Sequence, residues 1–296
     1  MKFVVIPNNI ERLDTYQQKG VTTFMVGLKN YSIHYPELSL EKIKKLSEKV
    51  ELFVVINKNI FNHELSEIKE ILKQLSTFHI KAVLYYDLAV LNIVIENQIE
   101  VDLVWHQTHM VTNYNTCNYY YNKGVKYGVL ANEITLEEIL DIKENTDMKL
   151  MVEVFGYPIM SHSQRSLLSN YFKTIDQEKE DRPYTLTEKD NQYLITETVN
   201  GTSILLKKLI NGTKPLFDFI ENNLDYAILD MQEVDIKLSE KVLDQYMYIL
   251  DNGANISELE KEKIICNMNE LIGDNTNFFY KKTIYKVKKE TNSDEN

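Results

Sequence analysis

Short apolar runs alternate with helix-length periodic segments from the N-terminus to about residue 250, and this alternation is the feature that most restricts the fold. The runs are Phe3 to Ile6, Thr22 to Val26, Leu52 to Ile56, Ala82 to Tyr86, Leu103 to Trp105, Tyr127 to Leu130, Leu150 to Val154 and Tyr226 to Leu229. Each is too short for a helix and too uniformly apolar for a strand with one wet face, so each predicts a strand buried on both faces. Between them lie predicted helices over Ile10–Lys19, Leu40–Val50, Glu64–Phe78, Leu88–Asn97, Tyr114–Lys123, Leu136–Asn145 and Ser166–Phe172, and after the last run Leu238–Leu250. Ser39 ahead of its helix and Thr135 with Glu138 three residues on are start signals, and Gly20 and Gly124 are stops. Eight strand–helix units predict an α/β chain of the (β/α)8 TIM-barrel-like kind, with a doubly wound open sheet as the alternative.

One interval breaks the rhythm. Glu178 to Asn211 opens with charges and then carries two alternating runs joined by Asn200-Gly201, a strong hairpin signal. It reads as a β-hairpin insertion after strand 7, overhanging the strands' C-terminal mouth. The expected organisation is a barrel over 1–251 with insertion 178–211, followed by a small C-terminal extension over 252–296. That extension is expected to hold a helix over Ser257–Leu271, a strand in the lysine-rich segment and a disordered acidic tail.

The formal charge of −11 repels phosphate, so a nucleic-acid role needs a local basic patch or a basic partner. The patch on offer is Lys281 to Lys289, which reads first as an edge strand guarded by lysines and second as a candidate tRNA contact. Two distant cysteines, Cys117 and Cys266, make neither a disulfide framework nor a metal set. No apolar run reaches the roughly 20 residues that span a membrane, and the N-terminus lacks signal-peptide features, so a cytoplasmic location is expected. Many Lys, Asn, Ile and Tyr with few Gly and Pro suggest an AT-rich bacterial coding sequence.

Chemistry in such folds gathers where strands end. Those ends collect Asn8, Gly27, Asn57, Asp87, His106, Gln107, Glu133, Glu153, Gly156 and Asp230, with Asn8 and Asp87 equally plausible as helix caps. The densest stretch is Lys149–Phe172, which places Glu153, Tyr157, His162, Ser163, Gln164 and Arg165 on one strand and the loop leaving it. From these, Glu153, His162 and Arg165 are the catalytic candidates, and His106, Gln107, Asn113, Glu133, Tyr157, Ser163 and Asp230 the substrate-binding ones; no metal ligands are expected. Arg165 beside a helix start could receive an anion, or could simply pair with Glu153 or Glu133. Ser161-His162-Ser163 with Glu153 invites a nucleophile–base reading, although adjacent residues on one turn rarely face each other. No Gly-x-Ser-x-Gly elbow or His-Glu-x-x-His helix is present.

The stretch Lys149–Phe172 and the segment VDLVWHQTHMVTNYNTCNYYYNKGVKYGVLANEITLEEI, Val101 to Ile139, resemble the peptidase U32 family of collagenase-like proteases. By that match Gln107, Asn113, Gly124, Glu133 and Glu138 fall on family positions. The resemblance implies a barrel-like core and a hydrolase label. It also implies kinship with tRNA or ribosomal RNA hydroxylation factors that use an iron–sulfur cluster and a small carboxylate such as prephenate, the latter being a candidate ligand of this chain too. The departures are specific. Phe155-Gly156 stands for the signature's His-Gly, and Ile228-Leu229-Asp230-Met231-Gln232 replaces a Lys-x-Glu-Gly-Arg motif. Where cluster-bearing relatives carry cysteines, this chain has Ile159, Met160, Arg165, Arg182 and Pro183. Four thiolates hold such a cluster, so this chain is expected to bind none alone. The expectation is a cluster-less subunit in tRNA wobble-uridine hydroxylation, paired in a hetero-oligomer with a longer, four-cysteine U32 paralogue. The alternatives are a genuine collagenase-like peptidase and a small carboxylate- or sugar-binding barrel enzyme.

Overall fold

The computed structural model describes residues 1–281. Eight parallel strands form its centre: β1 (Lys2–Ile6), β2 (Thr23–Leu28), β3 (Glu51–Ile56), β4 (Ala82–Tyr85), β5 (Leu103–Trp105), β6 (Tyr127–Val129), β7 (Lys149–Gly156) and β8 (Tyr226–Asp230). Each pairs with its sequence neighbours, and β1 pairs with both β8, from Lys2↔Tyr226 to Ile6↔Asp230, and β2, at Val5↔Phe24. The sheet therefore closes, and the strand order around it is the order of the sequence. The barrel expectation holds and the open sheet does not.

Closure explains why the strands carry apolar residues at every position. Val4 and Ile6 of β1 face inward with Met25, Phe53, Val55, Leu84, Val104, Val129, Met151 and Ile228, whereas Phe3 and Val5 face the surrounding helices. Phe53, Tyr127 and Tyr226 plug the N-terminal end, their rings meeting edge-on at centroid distances of 5.7–6.0 Å. The period-2 alternation runs on to the other end, where the next inward positions after Met151 and Ile228 are Glu153 and Asp230.

The insertion is larger than a hairpin. Tyr184–Glu188, Asn191–Thr198 and Gly201–Leu206 form an antiparallel sheet, and its fourth strand is Ile159–Ser163, taken from the stretch expected to be a polar loop. Alternation of Ile159, Ser161 and Ser163 against Met160 and His162 is a strand period hidden by polar side chains. Gly201 lies so close to Ser163 that a Cβ there would stand 2.1 Å from its carbonyl oxygen, which accounts for glycine at this crossing. The helix Leu167–Thr174 follows as expected, but it belongs with the insertion. The helix that covers the barrel between β7 and β8 is Thr213–Glu221, which the sequence reading did not assign. Pro215 lies in its first turn, where a missing N–H costs nothing. The expected helix near the C-terminus spans Glu258–Ile272, and the lysine-rich strand falls outside the described residues.

Candidate active site at the barrel mouth

Asp230 ends β8, and Glu153 lies in the C-terminal half of the adjacent β7, both at inward positions of the mouth. The register between β7 and β8 slips by one residue immediately after Glu153↔Ile228, so a bulge re-aims the end of β7. Gly156 fits against both carboxylates. A Cβ there would meet Asp230 Cβ at 2.7 Å and Glu153 Oε1 at 3.2 Å, and its φ of +142° is one that side-chain-bearing residues rarely adopt.

The third member comes from the loop after β2, which carries no recognisable motif. His34 Nε2 stands 3.5 Å from Asp230 Oδ2, with side-chain exposures of 6% and 8%. That nitrogen makes no hydrogen bond among the described residues. His34 is held with φ +55°, a left-handed conformation that an unconstrained histidine seldom adopts. Several contacts fix it there. Asn57 accepts from Ile33 N at 2.7 Å and donates to Ile33 O at 3.1 Å, and Gln232 Nε2 donates to His34 O at 2.8 Å. From the insertion, Asn200 Nδ2 donates to Ser32 O at 2.8 Å and Glu37 Oε1 at 2.7 Å. Tyr35 then turns inward onto the barrel interior.

The electrostatics follow from this crowding. Burial first, and the neighbouring Asp230 carboxylate second, push the Glu153 carboxyl up to about 7, against the hydrogen bond from Asn132 and the charge of His34. Asn132 Nδ2 donates to Glu153 Oε2 at 2.6 Å. Burial is the largest influence on His34 and alone would lower its pKa, but the contact with Asp230 together with the charges of Glu233 and Glu153 raises it. The Tyr35 hydroxyl is raised by burial and then by both carboxylates. At neutral pH the mouth thus holds one carboxyl poised between its two protonation states and an imidazole oriented by a second carboxylate, a pairing suited to proton transfer.

The remaining candidates separate. His162 lies on the insertion strand with Nδ1 3.0 Å from Ser203 Oγ, and its Nε2 is buried without a hydrogen-bond partner among the described residues. Burial lowers its pKa. Its partner is therefore Ser203, not Ser161 or Ser163, and Glu153 is held by Asn132, so the nucleophile–base–carboxylate arrangement is not assembled. Ser163 Oγ accepts from Arg165 N at 3.2 Å. The Arg165 side chain is exposed, and among the described residues it forms no ion pair with Glu153 or Glu133; Glu133 pairs instead with His109 at 3.1 Å. His106 directly follows β5, its Nδ1 buried and without a hydrogen-bond partner among the described residues, and burial lowers its pKa to about 4, leaving it neutral. Gln107 donates to Tyr86 O at 2.9 Å, and Asn113 caps the helix Tyr114–Tyr121 through Thr116 N at 2.9 Å, so both fill structural roles. Tyr157 is half-buried against the core, its hydroxyl raised by burial. Asp87 caps its helix, whereas at the first helix the cap is Asn9 and not Asn8, which instead hydrogen-bonds Tyr16 and Ser239.

An iron–sulfur cluster does not fit these residues. Cys117 is buried in the helix Tyr114–Tyr121 with its thiol pushed up to about 11, the reverse of a ligating thiolate, and Cys266 is exposed on the distant helix Glu258–Ile272. Among the described residues no group of three or more His, Cys, Asp or Glu is arranged to hold a metal ion. No helix among them is long and apolar enough to cross a membrane.

Comparison with known proteins agrees with the resemblance. The chain is 29% identical to tRNA hydroxylation protein P2 of Bacillus subtilis (strain 168), over 96% of this chain and 99% of that protein. It is 22% identical to tRNA hydroxylation protein P1 of the same strain, over 57% of this chain and 42% of that protein. Among solved structures, a glycerophosphodiester phosphodiesterase from Parabacteroides distasonis aligns over 82% of this chain and 96% of its own at 8% identity and a TM-score of 0.45, too distant to bear on function. The model of peptidase family U32 matches residues 8–289, nearly the whole chain, which therefore belongs to that family.

Proposed function

We propose that this chain acts in the 5-hydroxylation of the tRNA wobble uridine, as a subunit without its own iron–sulfur cluster that works with a longer, cluster-bearing paralogue. The observation that carries this is end-to-end similarity to tRNA hydroxylation protein P2, against a match to P1 that leaves more than half of P1 uncovered. A chain whose two cysteines are far apart and in unsuitable surroundings needs a partner for cluster chemistry. Its own contribution is the proton-handling mouth of Glu153, Asp230 and His34. A small carboxylate of the prephenate kind would be received by the partner, because this mouth sets two carboxylates against one imidazole.

The test is deletion of the gene in its host, with tRNA nucleosides analysed by mass spectrometry and the tagged chain recovered from wild-type cells. Loss of 5-hydroxyuridine and co-purification of a four-cysteine U32 homologue are expected. Unchanged 5-hydroxyuridine in the deletion strain would remove the proposal.

A further inference from the structure

The last described residues are anchored beside one outer helix of the barrel. Asn277 Nδ2 donates to Asn132 O at 2.9 Å, and Leu136 N donates to Phe279 O at 2.9 Å. The buried Phe279 ring meets Phe219 edge-on at 5.7 Å between centroids. These contacts deliver Lys281 to the first turn of the helix Leu136–Glu144. The solvent side of that helix is acidic. Glu137, Asp141 and Glu144, at i, i+4 and i+7, are exposed and share one face. The groove along it is lined by Thr135, Glu137, Glu138, Leu140, Asp141 and Glu144, with no basic residue among the described ones. The helix's lysine, Lys143, turns away and pairs with Asp225 at 2.6 Å. Like charges at this spacing repel along a helix, so the face gains from cations laid against it.

The segment that follows in the sequence supplies them. KKTIYKVKK, Lys281 to Lys289, places Lys282, Lys286 and Lys288 on one side of a period-2 alternation, with Tyr285 and Val287 on the other. Four residues of extended chain, the step from Lys282 to Lys286, span about 13 Å, and so does a nine-residue helix such as Leu136–Glu144. A second groove is within reach, between the helices Thr213–Glu221 and Glu258–Ile272, because Lys214 Nζ lies 4.5 Å from the centre of the Tyr280 ring. Its acids are already answered. Lys214 and Lys261 line it, and Lys261 pairs with Glu258 at 2.8 Å and Glu221 at 3.4 Å. Charge complementarity therefore selects the first groove.

We infer that the acidic face of the helix Leu136–Glu144 is the docking site of the chain's own segment 282–289, with its lysines set against Glu137, Asp141 and Glu144. A single exposed ion pair contributes little, but the anchor at Phe279 makes the contact intramolecular, so several pairs form at high effective concentration. Docked there, the lysines meet carboxylates in place of phosphate, and RNA has to compete with the helix for them.

The test is zero-length carbodiimide cross-linking of the full chain, mapped by mass spectrometry, with thermal unfolding to confirm that every variant folds. Links from Lys282, Lys286 and Lys288 to Glu137, Asp141 and Glu144 are expected, and about 1 M salt should reduce them about tenfold. Asp141→Lys leaves Glu137 and Glu144 free to react, and their links should fall about tenfold as well. Reversing the three acids to lysine and the three lysines to glutamate together should restore linkage between the two segments. Absence of these links, or yields that neither salt nor Asp141→Lys changes, overturns the inference. So do links made equally to Glu258 and Glu262. An equal mixture of 14N- and 15N-labelled chains separates the remaining case: hybrid links overturn the inference in favour of a second copy's segment as the occupant.

Discussion

His34 Nε2 lies 3.5 Å from Asp230 Oδ2 across the barrel mouth, joining a strained loop after β2 to the end of β8. Because both side chains are buried, removing one partner leaves the other without compensation in a site shielded from water. His34→Asn isolates this effect, since asparagine tolerates the left-handed backbone while carrying no charge. A loss of about 3 kcal/mol in urea unfolding at pH 6 is expected. The sign follows from the raised His34 pKa: its contribution is complete below the unfolded value and fades as pH rises through the folded one, so the gap between wild type and variant narrows on the alkaline side. A pH-independent loss below about 1 kcal/mol would contradict the pairing.

Glu153 titrates in the opposite sense to a salt-bridged carboxylate. Its pKa is raised from 4.5 to about 7, so the folded state holds a proton that the unfolded state has released, and stability falls between those two values. Glu153→Gln removes this slope. Relative to wild type, the variant should gain on the order of 2–3 kcal/mol between pH 4.5 and pH 7.5, following the size of the shift. Parallel stability curves for the two proteins across that range would show that Glu153 is not shifted.

The insertion is tied to the mouth by Asn200, whose side chain reaches Ser32 O and Glu37 Oε1. Asn200→Ala should leave the barrel intact, lower global stability by no more than about 1 kcal/mol, and raise hydrogen exchange in residues 31–37 and 191–206 together. Exchange confined to the hairpin would show that the loop carrying His34 stands without it.

The barrel was legible because closure buries every strand on both faces, and continuous apolar runs such as Phe3–Ile6 and Leu52–Ile56 record that directly. Glu153 and Asp230 were legible for the same reason, Glu153 as the single carboxylate inside the run Leu150–Val154 and Asp230 as the one directly after Tyr226–Leu229. His34 was not, because nothing in Tyr-Ser-Ile-His-Tyr-Pro marks a histidine that Asn57 and Gln232 hold in place from distant segments. The strand Ile159–Ser163 was read as a loop because its residues alternate without an apolar face; its partner Gly201–Leu206 lies some 40 positions on. The helix Thr213–Glu221 was missed behind Gly212 and Pro215, which suggest a turn in sequence and mark a helix start in the structure. The catalytic weight placed on Arg165 came from position alone, and the side chain faces solvent.

Protein purified anaerobically without its partner is expected to be colourless and to hold no stoichiometric iron, because Cys117 and Cys266 occupy separate helices and cannot share a cluster. Four iron atoms per chain by elemental analysis would require ligands from elsewhere.

The central claim is that the mouth of Glu153, Asp230 and His34 serves tRNA hydroxylation, and complementation of the deletion strain with Glu153→Gln tests it most directly. The wild-type gene should restore 5-hydroxyuridine in bulk tRNA, while the variant, present at equal protein level and still bound to its partner, should leave it at the deletion background. Restoration to the wild-type level by Glu153→Gln would contradict the account.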